Sequence, residues 1–92
     1  MDVELTKHYL KRASERLNGV DPEHLAEAFC YAIETNHQSV TYEGRFKYKS
    51  EVVRRFSTST DGDKIVVVIT DEDPNVLRFI TVYIDDGRNR NY

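Results

Sequence analysis

The sequence predicts an α+β domain, with two N-terminal helices packed on an antiparallel meander sheet of about four strands. Three observations carry this. Residues 1–36 show apolar positions every three to four residues, in two blocks split by Asn18-Gly19 and Asp21-Pro22. From Gln38 onward the pattern changes to runs of β-branched and aromatic residues. Helices that all precede the strands argue for an α+β domain with its helices on one sheet face, not for alternating βαβ units. At 92 residues the chain supports a single domain, residues 1–92.

The first helix is expected over about residues 3–18, with Thr6, Leu10, Ala13 and Leu17 on one side and Tyr9 at the border. Lys11 and Glu15 can pair on its solvent side. Gly19 ends it, because glycine accepts the left-handed conformation of a helix C-terminus. The second helix, over about 22–36, opens on Asp21 as a cap and Pro22 at the first position. Leu25, Ala28, Phe29, Ala32 and Ile33 give it a wide apolar face, broadened by Ala26 and Cys30.

Strands follow at about 39–43, 45–60, 64–70 and 76–84, with Gly44 read as a turn or bulge. Asp61-Gly62 is a tight hairpin signal. The run Ile65-Val66-Val67-Val68-Ile69 suits a strand buried on both faces. Residues 71–75, containing Pro74, form a turn. Strict alternation in the last strand sets Phe79, Thr81 and Tyr83 on one face and Arg78, Ile80 and Val82 on the other.

Composition narrows the function classes. The formal net charge is −3, which argues against a general nucleic-acid binder and makes any phosphate contact local. An acidic balance also suits docking onto a basic partner. The single cysteine, Cys30, allows no internal disulfide and reads as a small core residue. The charged stretch MDVELTK holds no signal segment, and the longest apolar run is too short to span a membrane; a soluble, cytoplasmic protein is expected. No His, Cys, Asp or Glu set has metal-ligand spacing, so neither a metal nor a cofactor is expected. His24 and His37 fall at the start and exit of the second helix and read as structural.

Three constellations can carry chemistry. His8, Arg12 and Arg16 recur every four residues and form one oblique basic stripe on the first helix. Guanidiniums hold phosphate oxygens in forked geometry, and a histidine moves protons near neutrality; the plainer alternative is a solvated flank. Thr81 and Tyr83 share a strand face, where a hydroxyl and a phenol can bind phosphate or simply pack across strands. Arg45, Lys47, Lys49, Arg54 and Arg55 interleave with Tyr42, Phe46 and Tyr48, a pattern that suits single-stranded RNA or equally a guarded edge strand.

Lys7-His8-Tyr9-Leu10-Lys11-Arg12 with Arg16, together with Phe79-Ile80-Thr81-Val82-Tyr83, resembles a small bacterial and phage domain family of unknown function. Its members begin with a His-x3-Arg-x3-Arg helix and end with a Thr-Val-Tyr strand. That family looks like part of the barnase–EndoU–colicin–RelE grouping of ribonuclease toxins. The resemblance implies metal-independent RNA cleavage by 2′-hydroxyl attack. His8 would be the acid or base, Arg12 and Arg16 would bind the phosphate, and Thr81 and Tyr83 would position it or assist proton transfer. It also implies a cognate protein antitoxin. A non-enzymatic phage or mobile-element protein that binds and inhibits a partner is the alternative, with Asp71 to Asp73, Asp85 and Asp86 as its acidic edges.

Overall fold

The structure, a computed structural model, describes residues 2–60, 63–70, 72–73 and 75–85. The elements run β1 (Asp2–Leu5), α1 (Lys7–Arg16), α2 (Pro22–Glu34), β2 (Thr41–Tyr48), β3 (Glu51–Thr60), β4 (Asp63–Thr70) and β5 (Val76–Asp85). The strands form one sheet in the order β1-β5-β4-β3-β2. Strands β2 to β5 are the antiparallel meander, but β1 adds a fifth strand parallel to β5, so the sheet is mixed. The expected Asp61-Gly62 hairpin, Asp71 and Pro74 of the following turn, and Asp86 lie outside the described residues.

The first helix therefore starts four residues later than its apolar spacing suggests. Asp2–Leu5 is a strand, and Thr6, expected on the helix face, is the cap. Thr6 is extended (φ −68°, ψ 157°), and its hydroxyl accepts from the Tyr9 amide at 3.1 Å. The Thr6 amide donates to the Phe79 carbonyl at 3.2 Å, the last rung between the β1 segment and β5. With the helix beginning there, Tyr9, Ala13 and Leu17 face inward and Leu10 is 38% exposed.

Helix α2 follows its expected start, with the Asp21 carboxylate accepting from the Glu23 amide at 2.9 Å. Its end comes at Glu34, two residues early. Asn36 takes φ 51°, the His37 amide donates to the Ala32 carbonyl and the Asn36 amide to the Ile33 carbonyl. This paired closure satisfies carbonyls that the last turn leaves open.

Both helices lie on one face of the sheet. Tyr9 and Ala13 of α1 and Phe29 and Cys30 of α2 pack on Val67, Ile69, Phe79 and Val82. The Tyr9 hydroxyl donates to the Pro22 carbonyl at 2.8 Å while its ring meets Phe79 edge-on at 5.3 Å, so one side chain ties α1, α2 and β5 together. Burial pushes the Cys30 thiol up to about 11, which keeps it protonated.

The opposite face carries a smaller cluster of Val53, Val66, Val68, Ile80 and Tyr83, with Phe46 and Tyr48 against it. Two bulges decide who stands there. In β5 the register steps from Val68↔Thr81 to Ile69↔Phe79, so Ile80 is an extra residue. The alternation reverses at that point. Phe79 and Val82 share the helix side, while Ile80 and Tyr83 are on the other. This corrects the strict alternation in which Phe79, Thr81 and Tyr83 share a face.

Strand β2 has the same device at Glu43, between Tyr42↔Phe56 and Gly44↔Arg55. Gly44 (φ 139°) is thus a bulge inside a continuous strand and not a strand break. The break falls instead at Lys49-Ser50, where Lys49 adopts φ 57°.

Candidate functional site

Helix α1 runs on past the end of β1, beside the second half of β5. Its inward row fills the helix-side core, and its adjoining row, His8, Arg12 and Arg16, borders the open sheet face. These three line one wall of a cleft of about 440 Å³. Val68, Thr81 and Tyr83 form its floor, and Phe46, Lys47, Tyr48 and Lys49 the opposite wall. The walls approach at one end, where the His8 and Tyr48 rings are 6.4 Å apart. Among the described residues that line the cleft none is acidic, in a chain of net charge −3. The cleft therefore gathers Arg12, Arg16, Lys47 and Lys49 into a locally basic concavity.

Each part is held by a specific contact. The Arg16 guanidinium donates to the Val82 carbonyl at 3.0 Å, beyond the stretch of β5 that β1 pairs. Arg12 donates to the Glu15 carboxylate at 2.8 Å; Glu15 therefore pairs with Arg12, where the helix spacing suggested Lys11. The Thr6 hydroxyl donates to the Phe79 carbonyl at 2.8 Å and reaches the Ile80 carbonyl at 3.2 Å. One residue thus caps α1 and satisfies the irregular carbonyls of the β5 bulge. That fixes the stripe and the Thr81–Tyr83 pair in a single frame.

The surroundings tune His8. Partial burial lowers its pKa below the ordinary 6.5, helped by the nearby charges of Arg12, Lys49, Arg16 and Lys11. At neutral pH the imidazole is a neutral proton acceptor among fixed cations.

No family model, curated protein or solved structure matches the chain.

The sequence-predicted residues divide. His8, Arg12, Arg16, Thr81 and Tyr83 share the cleft with Lys47, Tyr48 and Lys49. Arg45 and Arg54 face each other across β2 and β3 and do not line it. Arg55 lies over the Phe46 ring at 5.3 Å, bracing that wall from outside the cleft. Lys49 sits 5.8 Å from the Tyr48 ring centre. Three contributors were missed. Thr6 falls on the apolar side of the helical spacing, although Thr before an apolar-periodic run is also a cap signal. Glu51 and Arg78, which line an adjoining cavity, carry no local motif.

No helix among the described residues is long and apolar enough to cross a membrane.

Proposed function

We propose that this protein is a small ribonuclease-toxin-like domain of the cytoplasm that cleaves RNA at one phosphodiester without a metal. The observation that carries the reading is the meeting of His8, Arg12 and Arg16 with Thr81 and Tyr83 in one cleft, with no carboxylate among its described lining residues. The phosphate sits against Arg12 and Arg16. Neutral His8 takes the proton of the ribose 2′-hydroxyl, whose oxygen forms a new bond to phosphorus. The bond from phosphorus to the 5′-oxygen breaks, and that oxygen receives a proton from the Tyr83 phenol or from solvent. The products are a 2′,3′-cyclic phosphate and a free 5′-hydroxyl. Guanidiniums preorganised around the phosphoryl oxygens stabilise the charge that builds there. Tyr48 offers a ring face for an unpaired base.

The test is incubation of purified protein with single-stranded RNA and identification of the product ends. Cyclic phosphate ends support the reading; intact RNA, or 5′-phosphate products, would remove it. A cognate antitoxin that covers the cleft would carry negative charge.

The second reading, a binding protein that inhibits a basic partner, draws on a different surface. Glu23, Glu27 and Glu34 of α2 surround a groove beside exposed Val3 and Tyr31. Capture of a stoichiometric basic partner by catalytically silent protein favours it.

A further inference from the structure

The two edges of the sheet are finished differently. At one edge β2 carries exposed Arg45 and Lys47 and the bulge at Glu43, devices that discourage another strand from pairing there. At the other edge stands β1, paired on one side with β5. The Asp2 amide donates to the Asn75 carbonyl at 2.8 Å, and the Thr6 amide to the Phe79 carbonyl at 3.2 Å. Main-chain groups alternate in direction along a strand, so those of Val3 and Leu5 point away from β5, toward the outer edge. Asp2, Val3 and Glu4 are exposed there. Two such positions give an added strand few hydrogen bonds, so selectivity has to come from the surface beside them.

Val3 also lines a groove of about 440 Å³ between β1 and α2. Buried Ala26 and Cys30 are its floor, and Val3 and Tyr31, 48% and 65% exposed, stand at its sides. Glu23, Glu27 and Glu34 complete the described lining, which holds no basic residue. Their spacing sets the three carboxylates along one side of α2. None of them is held in an ion pair among the described residues. Glu34 lies in the last turn of α2, which has no basic residue. A carboxylate there adds to the partial negative charge of the helix end, an unfavourable placement that a bound cation relieves. The Tyr31 ring, between Glu27 and Glu34 in the chain, offers a face to a guanidinium or ammonium group.

We infer that the outer edge of β1 and the acidic groove of α2 form a docking site for an extended basic segment of a partner protein, which adds to the sheet beside β1. An added strand turns every second side chain toward α2. Arginine or lysine at those positions meets the glutamates and Tyr31. One small apolar side chain between two basic ones covers Ala26 and Cys30. The main chain of the segment bonds to Val3 and Leu5, and its side chains supply the charge that the groove lacks. The inference deepens the second reading, on which it rests, by naming the conformation and pattern of the basic partner. It does not depend on RNA cleavage in the cleft.

The experiment titrates the full chain with a capped peptide, Thr-Arg-Thr-Val-Thr-Arg-Thr, whose Arg, Val and Arg share one face when extended. The same peptide with Glu in place of Arg is the control. Amide chemical shifts locate binding, and hydrogen exchange of the Val3 and Leu5 amides reports strand addition. The Arg peptide should bind at least roughly tenfold more tightly than the Glu peptide and shift Val3, Glu27 and Tyr31. It should also slow exchange at Val3 and Leu5 by about tenfold or more. Glu27→Gln with Glu34→Gln should weaken the Arg peptide by about tenfold and leave RNA cleavage unchanged, since neither residue lines the cleft. Shifts on α2 with unaltered exchange at Val3 and Leu5 would overturn strand addition and leave the basic-partner surface standing. Equal binding of the two peptides, or no binding of either, would overturn both. Protection of Val3 and Leu5 in self-associated protein before any peptide is added would assign the edge to a second copy and overturn the proposed occupant. The wild-type comparison of the two peptides needs no variant, so it stands even if the double substitution unfolds the chain.

Discussion

The guanidinium of Arg16 on α1 is bonded to the main-chain carbonyl of Val82 on β5, 3.0 Å away and 66 positions later in the chain. The contact converts a stripe on a helix into one wall of a cleft. A guanidinium has five N–H donors in a rigid fork, and one bond to a carbonyl orients the whole group. Arg16 is thereby aimed before any ligand arrives, which lowers the ordering cost of binding an anion.

Thr6 holds the same frame from the other end. Thr6→Val removes the cap for Tyr9 and leaves the Phe79 and Ile80 carbonyls without the hydroxyl. The expected loss is about 1–2 kcal/mol in urea unfolding. Thr6→Ser, which keeps the hydroxyl, should recover most of it. If Thr6→Val unfolds like the wild type, the cap and bulge are not coupled through this side chain.

His8 should titrate below 6.5 in the folded protein, because partial burial and the cations of Arg12, Lys49, Arg16 and Lys11 all disfavour its charged form. Between the lowered value and 6.5 the unfolded chain binds more protons than the folded one. The His8 contribution to stability is therefore complete above 6.5 and is lost as pH falls through the lowered value. Imidazole proton shifts followed against pH read this directly. The midpoint should rise when inorganic phosphate is added, since an anion favours the imidazolium. A midpoint at or above 6.5 in the free protein would contradict the placement of His8 among the cations.

Glu15 competes for Arg12. Both partners are substantially exposed, so their ion pair is weak, on the order of 1 kcal/mol or less. Glu15→Gln should therefore tighten phosphate binding, by at most about fivefold. Calorimetric titration with inorganic phosphate is sufficient. Weaker binding in Glu15→Gln would mean that the pair orients Arg12 instead of occupying it.

Lys49 takes φ 57° in the β2–β3 turn, a conformation that costs a side-chain-bearing residue roughly 1–2 kcal/mol and glycine almost nothing. Lys49→Gly should raise the melting temperature by a few degrees and at the same time weaken phosphate binding. A gain in stability with unchanged affinity would remove Lys49 from the anion site.

The helices and the meander were readable because their signals are local: caps at Asp21, a stop at Gly19, and a dense β-branched run in β4. The strand β1 was not, since four residues carry too little pattern to outweigh the helical spacing that follows. The stripe could be seen on α1, but its partner strand could not be oriented from alternation. The Ile80 bulge leaves no glycine or other mark in the sequence. By strict period Thr81 and Tyr83 would lie under the helices with Phe79, and only the extra residue turns them to the open face. Gly44 did mark the β2 bulge, which moves Phe46 and Tyr48 to the same side. Pairing, not propensity, decided both.

In the proposed function, α1 and β5 together form a site that breaks RNA through His8 and the two arginines. The most direct measurement is the single-turnover cleavage rate of a single-stranded RNA by wild-type, His8→Ala and Arg12→Ala proteins, each shown to be folded by its melting curve. The predicted result is cleavage by the wild type to 2′,3′-cyclic phosphate ends. His8→Ala should reduce the rate by about two to four orders of magnitude, and Arg12→Ala should also cause a large loss. Cleavage that survives both substitutions would contradict the account.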